Sequence, residues 1–538
     1  MPDAHVTGRD FKDIPDELYI VVERSAREWL TRVRWLQRKD VPIDGVKVRD
    51  LATLARNDVM LCVLSVLEVW FREPDGRGAR DSELYNVPMV VALDGAELPD
   101  EPFAEITGPG YRALVCDGTG TAMFAGSVLR CVDQGVSLPA TEGVFEFRSV
   151  ERALRPAARA AKKLPDVSTN TLVAVDSTHV IKVYRRMVKG TSPDLEMNVS
   201  LTRVGFSHTP PATGYAVYHA RDGASFPVLL VQRFVPNHGE AWRVFLADAS
   251  AFVAGTEPYV TSPDESREAR LGEITAALHR ASGGIDEDSF LPEEFGAADI
   301  AALEVNLVAA VEESVEALRL AEERYDPRHL GRIRGVSGRG PDLVALVKRA
   351  CRALMSSGDL GRKIRIHGDL HLGQFLRTGE DGGGAHEDFV VIDFEGEPLR
   401  PVEERRRKAS PLRDVAGMQR SFDYVAYSAA CATRGEDGKH DGDGTGDLSD
   451  GLFERARTWS RRAGSSFLRG YLCETNRGPL RLVPCKDTDL QLLLTCFKLE
   501  KALYEVRYEL GNRPAWVEIP LAGVLDCMDE LGSLVGLP

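Results

Sequence analysis

Two short segments constrain this chain more than anything else in it: IHGDLHLGQ at Ile366–Gln374 and VVIDFEGEP at Val390–Pro398. Phe375 to Arg377 and Phe389 to Phe394 read as a strand pair, with the Gly- and Asp-rich stretch 378–387 as its hairpin tip. Asp369 precedes the first strand and Asp393 sits at the end of the apolar second one. Phosphoryl transfer asks a protein for one carboxylate facing an acceptor hydroxyl and for oxygen ligands that hold Mg²⁺ against phosphates. Asp369 fits the first role, and Asp393 with the amide oxygen of Gln374 fits the second. Either motif alone is as well explained by turn or strand-end carboxylates. Joined by a hairpin, the two together point to chemistry.

A second group of residues lies upstream. Thr171 to Tyr184 is long enough to be a strand pair turning near Asp176 and Ser177, and Lys182 projects from its otherwise apolar second half. A helix follows, with Ser192 as its cap, Pro193 in its first position and Gly205 as its stop. Glu196 on that helix is placed to pair with Lys182 and hold it against the α- and β-phosphates of a nucleotide. The chain has neither a G-x-G-x-x-G nor a Walker A sequence, so Ser168, Thr169 and Asn170, just ahead of the lysine strands, are the candidates to cover the phosphates. The strand Val228 to Val235 ends in Gln232–Val235, the expected connection between two lobes. Gln232, Phe234 and Val235 would there offer backbone groups to an adenine edge.

A chain of 538 residues exceeds one ordinary core, so two or three units are expected. Residues 1–24 read as a mobile leader and 25–105 as an α+β cap. Residues 106–235 read as an intermediate subdomain, and 236–538 as a helical lobe carrying both motifs. Within the cap, Ser25–Leu36 reads as a short helix anchored by Trp29 and Trp35. Val59–Phe71 and Glu83–Leu93 read as paired strands joined by the polar turn 73–81. Near the C-terminus Leu492, Cys496, Leu499, Leu503 and Val506 form an apolar stripe at helical spacing, hence core. The acidic, Gly-rich stretch 434–451 reads as a disordered surface loop, and the run Glu403–Lys408 as a solvated helix face. A net charge of -15 argues against nucleic acid as a partner. The apolar run Val59–Trp70 is too short to span a bilayer, and the polar N-terminus is no signal peptide. Nine scattered cysteines without C-x-x-C spacing suit a reduced, cytoplasmic protein.

HGDLHLGQ, followed by DFEGEP with Pro401 beyond it and by SPLRDVAGMQRSFDY at Ser410–Tyr424, resembles the bacterial maltokinases. These belong to the aminoglycoside-phosphotransferase, protein-kinase-like group. The stretch Leu499–Trp516 is similar to that family's closing helix and Trp29–Trp35 to its opening, so the likeness runs over roughly residues 25–525. It implies an α+β, two-lobed, protein-kinase-like fold with an N-terminal cap. It also implies transfer from ATP, with Mg²⁺, to maltose, giving maltose 1-phosphate for α-glucan synthesis. A monomer or dimer, with other α-glucan enzymes as partners, would follow. Carried over residue by residue, Asp369 is the base, Gln374 and Asp393 are metal ligands, and Lys182 with Glu196 holds phosphate. His371, Glu395, Arg413, Tyr504, Glu505 and Trp516 are candidates for the sugar side, although Arg413 and Asp414 read as pins of the region after the metal motif sooner than as substrate contacts. The chain departs from the family at Arg34-Trp35-Leu36, where R-W-F is usual, and at Gln232-Arg233-Phe234, where Q-E-F is usual. Those departures bear on the cap and the adenine side. The alternatives are a kinase for another sugar or an aminosugar such as glucosamine, an aminoglycoside phosphotransferase, and a non-catalytic pseudokinase. Intact Lys182, Asp369, Gln374 and Asp393 count against the last.

Overall fold

The apolar run at 60–71 is continuous because both of its faces are covered. Leu61, Val63, Leu67, Val69 and Phe71 belong to one core, and the alternate residues Cys62, Leu64 and Val66 to another. In the computed structural model this strand is the centre of a sheet. The structure describes residues 14–536 except 73–80, 94, 95, 97, 109–110, 152–157, 166–168, 257–265, 323–326, 380–386, 398–399 and 434–450. Ser168, Pro398, most of the 73–81 turn, the tip of the 378–387 hairpin and nearly all of the acidic loop therefore lie outside the described residues.

The chain divides into two units, Met1–Arg203 with Pro210–Pro236, and Val204–Thr209 with Asn237–Pro538. The first unit contains α1 (Ile14–Arg32), β1 (Ile43–Arg56), β2 (Met60–Phe71), β3 (Asp81–Asn86), β4 (Met89–Leu93), β5 (Ala104–Gly108), β6 (Tyr111–Asp117) and α2 (Ala122–Gln134). It continues with β7 (Ser137–Pro139), β8 (Gly143–Ser149), β9 (Ala161–Lys163), β10 (Thr171–Val175), β11 (His179–Val183), β12 (Arg186–Met187), α3 (Pro193–Arg203), β13 (Ala212–Ala220) and β14 (Ser225–Arg233). Among the described residues these strands form two antiparallel sheets. One runs β12-β3-β2-β4-β6-β5 with β1 also on β2, the other β7-β8-β13-β14-β11-β10-β9.

Helix α1 covers one face of the first sheet through Leu18, Val22, Ala26 and Leu30, a stripe repeating every four residues. Helix α2, with Phe124, Val128 and Val132, fills the core between the other face and the second sheet. Two boundaries move as a result. Residues 14–24 are the first turns of α1 rather than leader, because Leu18 and Val22 are fully buried. The first sheet also runs past residue 105 to Asp117, since β5 and β6 pair with each other and β6 pairs with β4. The strand expected at Glu83–Leu93 is two strands on the same partner, β3 beside the far half of β2 and β4 beside its near half. Pro88, which has no N–H for a ladder, lies between them.

The expected turn at Asp176 and Ser177 is present, with φ of 48° and 52° joining β10 to β11. Positive φ at both central residues suits a tight hairpin. Helix α3 also starts where its sequence placed it: Ser192 Oγ accepts from Leu195 N, and Gly205 carries φ 75°.

The second unit contains α4 (Ala241–Ala254), α5 (Arg267–Gly283), β15 (Glu293–Glu294), α6 (Ala297–Ala321), α7 (Pro327–Ser337), α8 (Gly340–Met355) and β16 (Arg362–Lys363). A 3-10 turn at Leu372–Gln374 leads into β17 (Phe375–Thr378) and β18 (Asp388–Val391). Then follow α9 (Val402–Arg405), α10 (Leu412–Thr433), α11 (Gly451–Thr475), α12 (Asp487–Asn512) and α13 (Glu518–Leu534). The apolar stripe of α12 is core, with Leu492, Cys496, Leu499, Leu503 and Val506 all buried. Among the described residues no helix is long and apolar enough to cross a membrane.

Candidate active site

The segment carrying Asp369 is held from beneath by one carboxylate. Asp414, in the first turn of α10, accepts from the backbone N–H of His367 at 2.8 Å and of Gly368 at 2.9 Å. Its Oδ2 also receives His279 Nε2 from α5 at 3.0 Å, and His279 Nδ1 lies 3.0 Å from the Tyr471 hydroxyl. Burial would raise the Asp414 pKa. The hydrogen bond and charge of His279, with His367 and the Gly368 N–H, outweigh it and hold the carboxyl below the usual range. Helix α10 comes so close that a Cβ at Gly417 would lie 2.8 Å from the Leu370 carbonyl oxygen. Of the two roles weighed for Asp414, the geometry gives it that of a pin.

His367 joins the two motifs. Its Nε2 is 3.0 Å from the Ile392 carbonyl oxygen, and its Nδ1 accepts from Asp369 N at 3.3 Å. Register Phe375↔Val391, together with a bond from Ile392 N to Gln374 O at 2.9 Å, brings Gln374 beside Asp393. Gln374 Nε2 is 3.5 Å from Asp393 Oδ2 and 3.4 Å from His371 Nε2. Asp393 has φ 69°, a left-handed conformation that is uncommon outside glycine and that Asp tolerates better than most residues. This donor set fits Mg²⁺, which takes few protein oxygens and shares the rest of its shell with phosphate and water. Turning the Gln374 amide over, which leaves its shape unchanged, presents the oxygen. His371 points its Nδ1 back to Gly373 N at 3.1 Å, and burial lowers its pKa.

Asp369 stands in the wall of a cavity of about 390 Å³. Lys501 of α12 donates to Asp369 Oδ1 at 3.2 Å and to Glu397 Oε1 at 2.9 Å, and Arg400 Nε lies 2.5 Å from Glu397 Oε2. Burial opposes the charge on Lys501, but Asp369, Glu397 and Glu505 overcome it and keep the ammonium protonated. Burial likewise would raise Glu397, and Lys501 and Arg400 bring it below the usual carboxylate range. Tyr504, whose pKa burial raises, lines the same wall, as do Glu500 and Arg413, which pair at 2.8 Å.

Three sugar-side candidates are placed differently. Glu505 is buried and takes both Nε and Nη2 of Arg420, at 2.9 and 2.8 Å, so it anchors α12 on α10. Trp516 stacks on Tyr424 with centroids 6.1 Å apart, and neither it nor Glu505 lines the cavity. Glu395 offers its carbonyl oxygen to Arg405 Nη1 at 3.0 Å. The cavity face of α12 is instead Phe497, Glu500, Lys501, Tyr504 and Arg507, spaced by three and four residues. That spacing was the available sign of Glu500 and Lys501, which polar character alone did not single out.

In the first unit Lys182 Nζ lies 2.9 Å from Asp194 Oδ2, with side chains 7% and 1% exposed. The acid expected there was Glu196. Glu196 lies two positions further along the same helix. Tyr184 OH and Asn198 Nδ2 also donate to Asp194, at 2.8 and 2.9 Å. Asn170 is buried and Thr169 half-buried, just ahead of β10. At the end of β14, Gln232 Nε2 donates to Asn198 Oδ1 and Pro210 O, and Phe234 N donates to Thr178 O. Val235 follows at the end of the unit.

No family model matches the chain. It is 27% identical over 369 residues to the glucosamine kinase of Streptacidiphilus jiangxiensis, covering 67% of this chain and 72% of that protein. It is 25% identical over 375 residues to the glucosamine kinase of Mycolicibacterium smegmatis, covering 69% and 81%. A glucosamine kinase solved in complex with glucosamine, ADP and inorganic phosphate superposes with a TM-score of 0.59 at 21% identity, over 93% of this chain and 98% of that one. A second crystal form of a glucosamine kinase gives the same TM-score over 94% and 99%. The chain therefore has the α+β, kinase-like fold of these glucosamine kinase structures.

Proposed function

We propose that this chain is an ATP-dependent phosphotransferase that acts on a hydroxyl of a small sugar, with an aminosugar of the glucosamine type as the first acceptor. The observation that carries this reading is Asp369, fixed by its pinned loop in the wall of a cavity of about 390 Å³. Asp369 takes the proton of the acceptor hydroxyl as transfer proceeds. Lys501 orients its carboxylate and adds positive charge beside the position of transfer. Asp393 and Gln374 would hold Mg²⁺, whose chemistry is to neutralise the charge on the phosphates. Lys182, steadied by Asp194, is assigned to the α- and β-phosphates, Thr169 and Asn170 to covering them, and the backbone of 232–235 to the adenine edge.

Support for an aminosugar comes from the curated relatives, both glucosamine kinases. Maltose is the second reading. It rests on the DFEGE segment and on Tyr504, an aromatic face in the wall for a second sugar ring. A coupled ADP-release screen over glucosamine, maltose, glucose and kanamycin separates them. The aminosugar reading expects kcat/KM for glucosamine to exceed that for maltose by at least about tenfold. The reverse order supports maltose, and no sugar-dependent ADP release removes both.

A further inference from the structure

The first unit has a cavity of its own, about 430 Å³, which none of the assignments above uses. Its rim is aromatic. Trp29 near the end of α1 meets Trp35 edge to face at 5.8 Å and stacks on Phe103 at 4.4 Å. Its floor is ionic. Lys163 pairs with Asp100 and lies 3.5 Å from Asp117 Oδ1, and Asp117 Oδ2 takes Arg185 Nη2 at 2.5 Å. Arg185 Nε donates to Thr171 Oγ1 at 2.8 Å, and the guanidinium lies 4.9 Å over the Trp35 ring. Arg185 is 0% exposed, and its Nη1 has no hydrogen-bond partner among the described residues.

Such a buried ionic network is costly to desolvate, and well-packed apolar residues often hold a sheet as firmly. Its presence in the wall of an open cavity beneath indole rings points to a ligand. We propose that this cavity binds a neutral saccharide. Four basic side chains line it against four acidic ones, so it carries no net charge to attract an ion. Sugar hydroxyls both donate and accept, and they can be matched by carboxylates and a guanidinium set side by side. The apolar face of a pyranose ring suits an indole. The volume lies in the range of small-molecule sites, and Arg185, clamped by Asp117 and Thr171, is already ordered, so binding loses little side-chain freedom.

Isothermal titration of the full chain with glucose and with maltose, and with inorganic phosphate as the anion probe, tests this. Saccharide binding should appear in the wild type and weaken by at least about tenfold in Trp29→Ala, the loss expected of an aromatic anchor. ADP release at saturating acceptor should stay within about twofold of wild type, because Trp29 touches none of the residues assigned to transfer. Asp100→Asn, a partly exposed change that loosens Lys163 without opening the aromatic rim, should weaken binding in the same direction, and it decides the matter if Trp29→Ala does not fold. Saccharide binding unchanged in the folded variants, no saccharide binding in the wild type, or phosphate bound in place of sugar would each overturn the proposal. Glucose and maltose are also candidate acceptors at the Asp369 cavity, so only the binding that Trp29→Ala and Asp100→Asn lose while transfer is retained is assigned here; transfer lost with this binding intact would count against the kinase reading alone.

Discussion

Replacing Asp414 by Asn changes no volume and removes one charge, yet the geometry makes it a costly substitution. Oδ1 of Asp414 serves the Gly368 N–H, while Oδ2 serves the His367 N–H and His279 Nε2, in a residue only 2% exposed. An amide has one oxygen, so in either orientation its NH₂ faces a backbone N–H and one buried donor loses its acceptor. A buried unsatisfied group costs about 1–3 kcal/mol, and the surviving bonds lose their charge assistance. The total should be about 2–4 kcal/mol, read as a lower urea midpoint at unchanged slope. His367 and Gly368 immediately precede Asp369, so the proposed base moves with them, and a displacement near 1 Å costs ~100-fold in kcat. The pH dependence has a definite sign. Because the folded-state pKa of Asp414 is depressed, its contribution is present above the unfolded value and lost as pH falls through the folded one. The stability gap between wild type and variant should therefore close below about pH 4. A variant within about 0.5 kcal/mol of wild type, with unchanged kcat, would refute the pinning argument.

Lys501→Met removes the donor shared by Asp369 and Glu397 and should lower kcat by ~10–100-fold with a smaller change in KM for ATP. Because the Lys501 pKa is raised, its stabilising effect is complete below about pH 10 and is lost only as pH rises further, so its contribution should be flat from neutral to mildly alkaline pH. Asp393→Asn should weaken MgATP binding in calorimetry far more than Gln374→Ala, since a carboxylate outranks an amide as a Mg²⁺ ligand. Unchanged MgATP affinity in Asp393→Asn would remove that assignment. Asp194→Asn should cost ~3 kcal/mol of stability and weaken ATP binding, while Glu196→Gln costs less on both counts. The reverse ranking would return Lys182 to Glu196.

What was legible in the sequence was local. The β10–β11 turn, the cap and stop of α3, the hairpin after Gln374 and the apolar stripe of α12 each depend on residues close together along the chain. What was not legible depends on rotation and on distant partners. Asp194 and Glu196 are both acids on one helix, and the contact of Asp194 with Lys182 depends on how α3 is placed against β11. Glu505 has the character of a sugar ligand, but Arg420, 85 positions earlier, claims it. Residues 14–24 looked like leader because their four-residue apolar repeat is sparse, and only the sheet that Leu18 and Val22 cover reveals them as helix. Between Asp369, Glu397 and Lys501 the chain runs 132 positions, so no spacing rule could join them.

The central claim is that Asp369 acts as the base in phosphoryl transfer from ATP to a sugar hydroxyl. Phosphorus NMR of wild type and Asp369→Asn, each with MgATP and glucosamine, tests it most directly. Wild type should form ADP and a sugar phosphate ester in equal amounts. Asp369→Asn should still bind ATP while ester formation falls ~100–10,000-fold. ADP formed without an ester, or an ester formed equally fast by both proteins, would contradict the account.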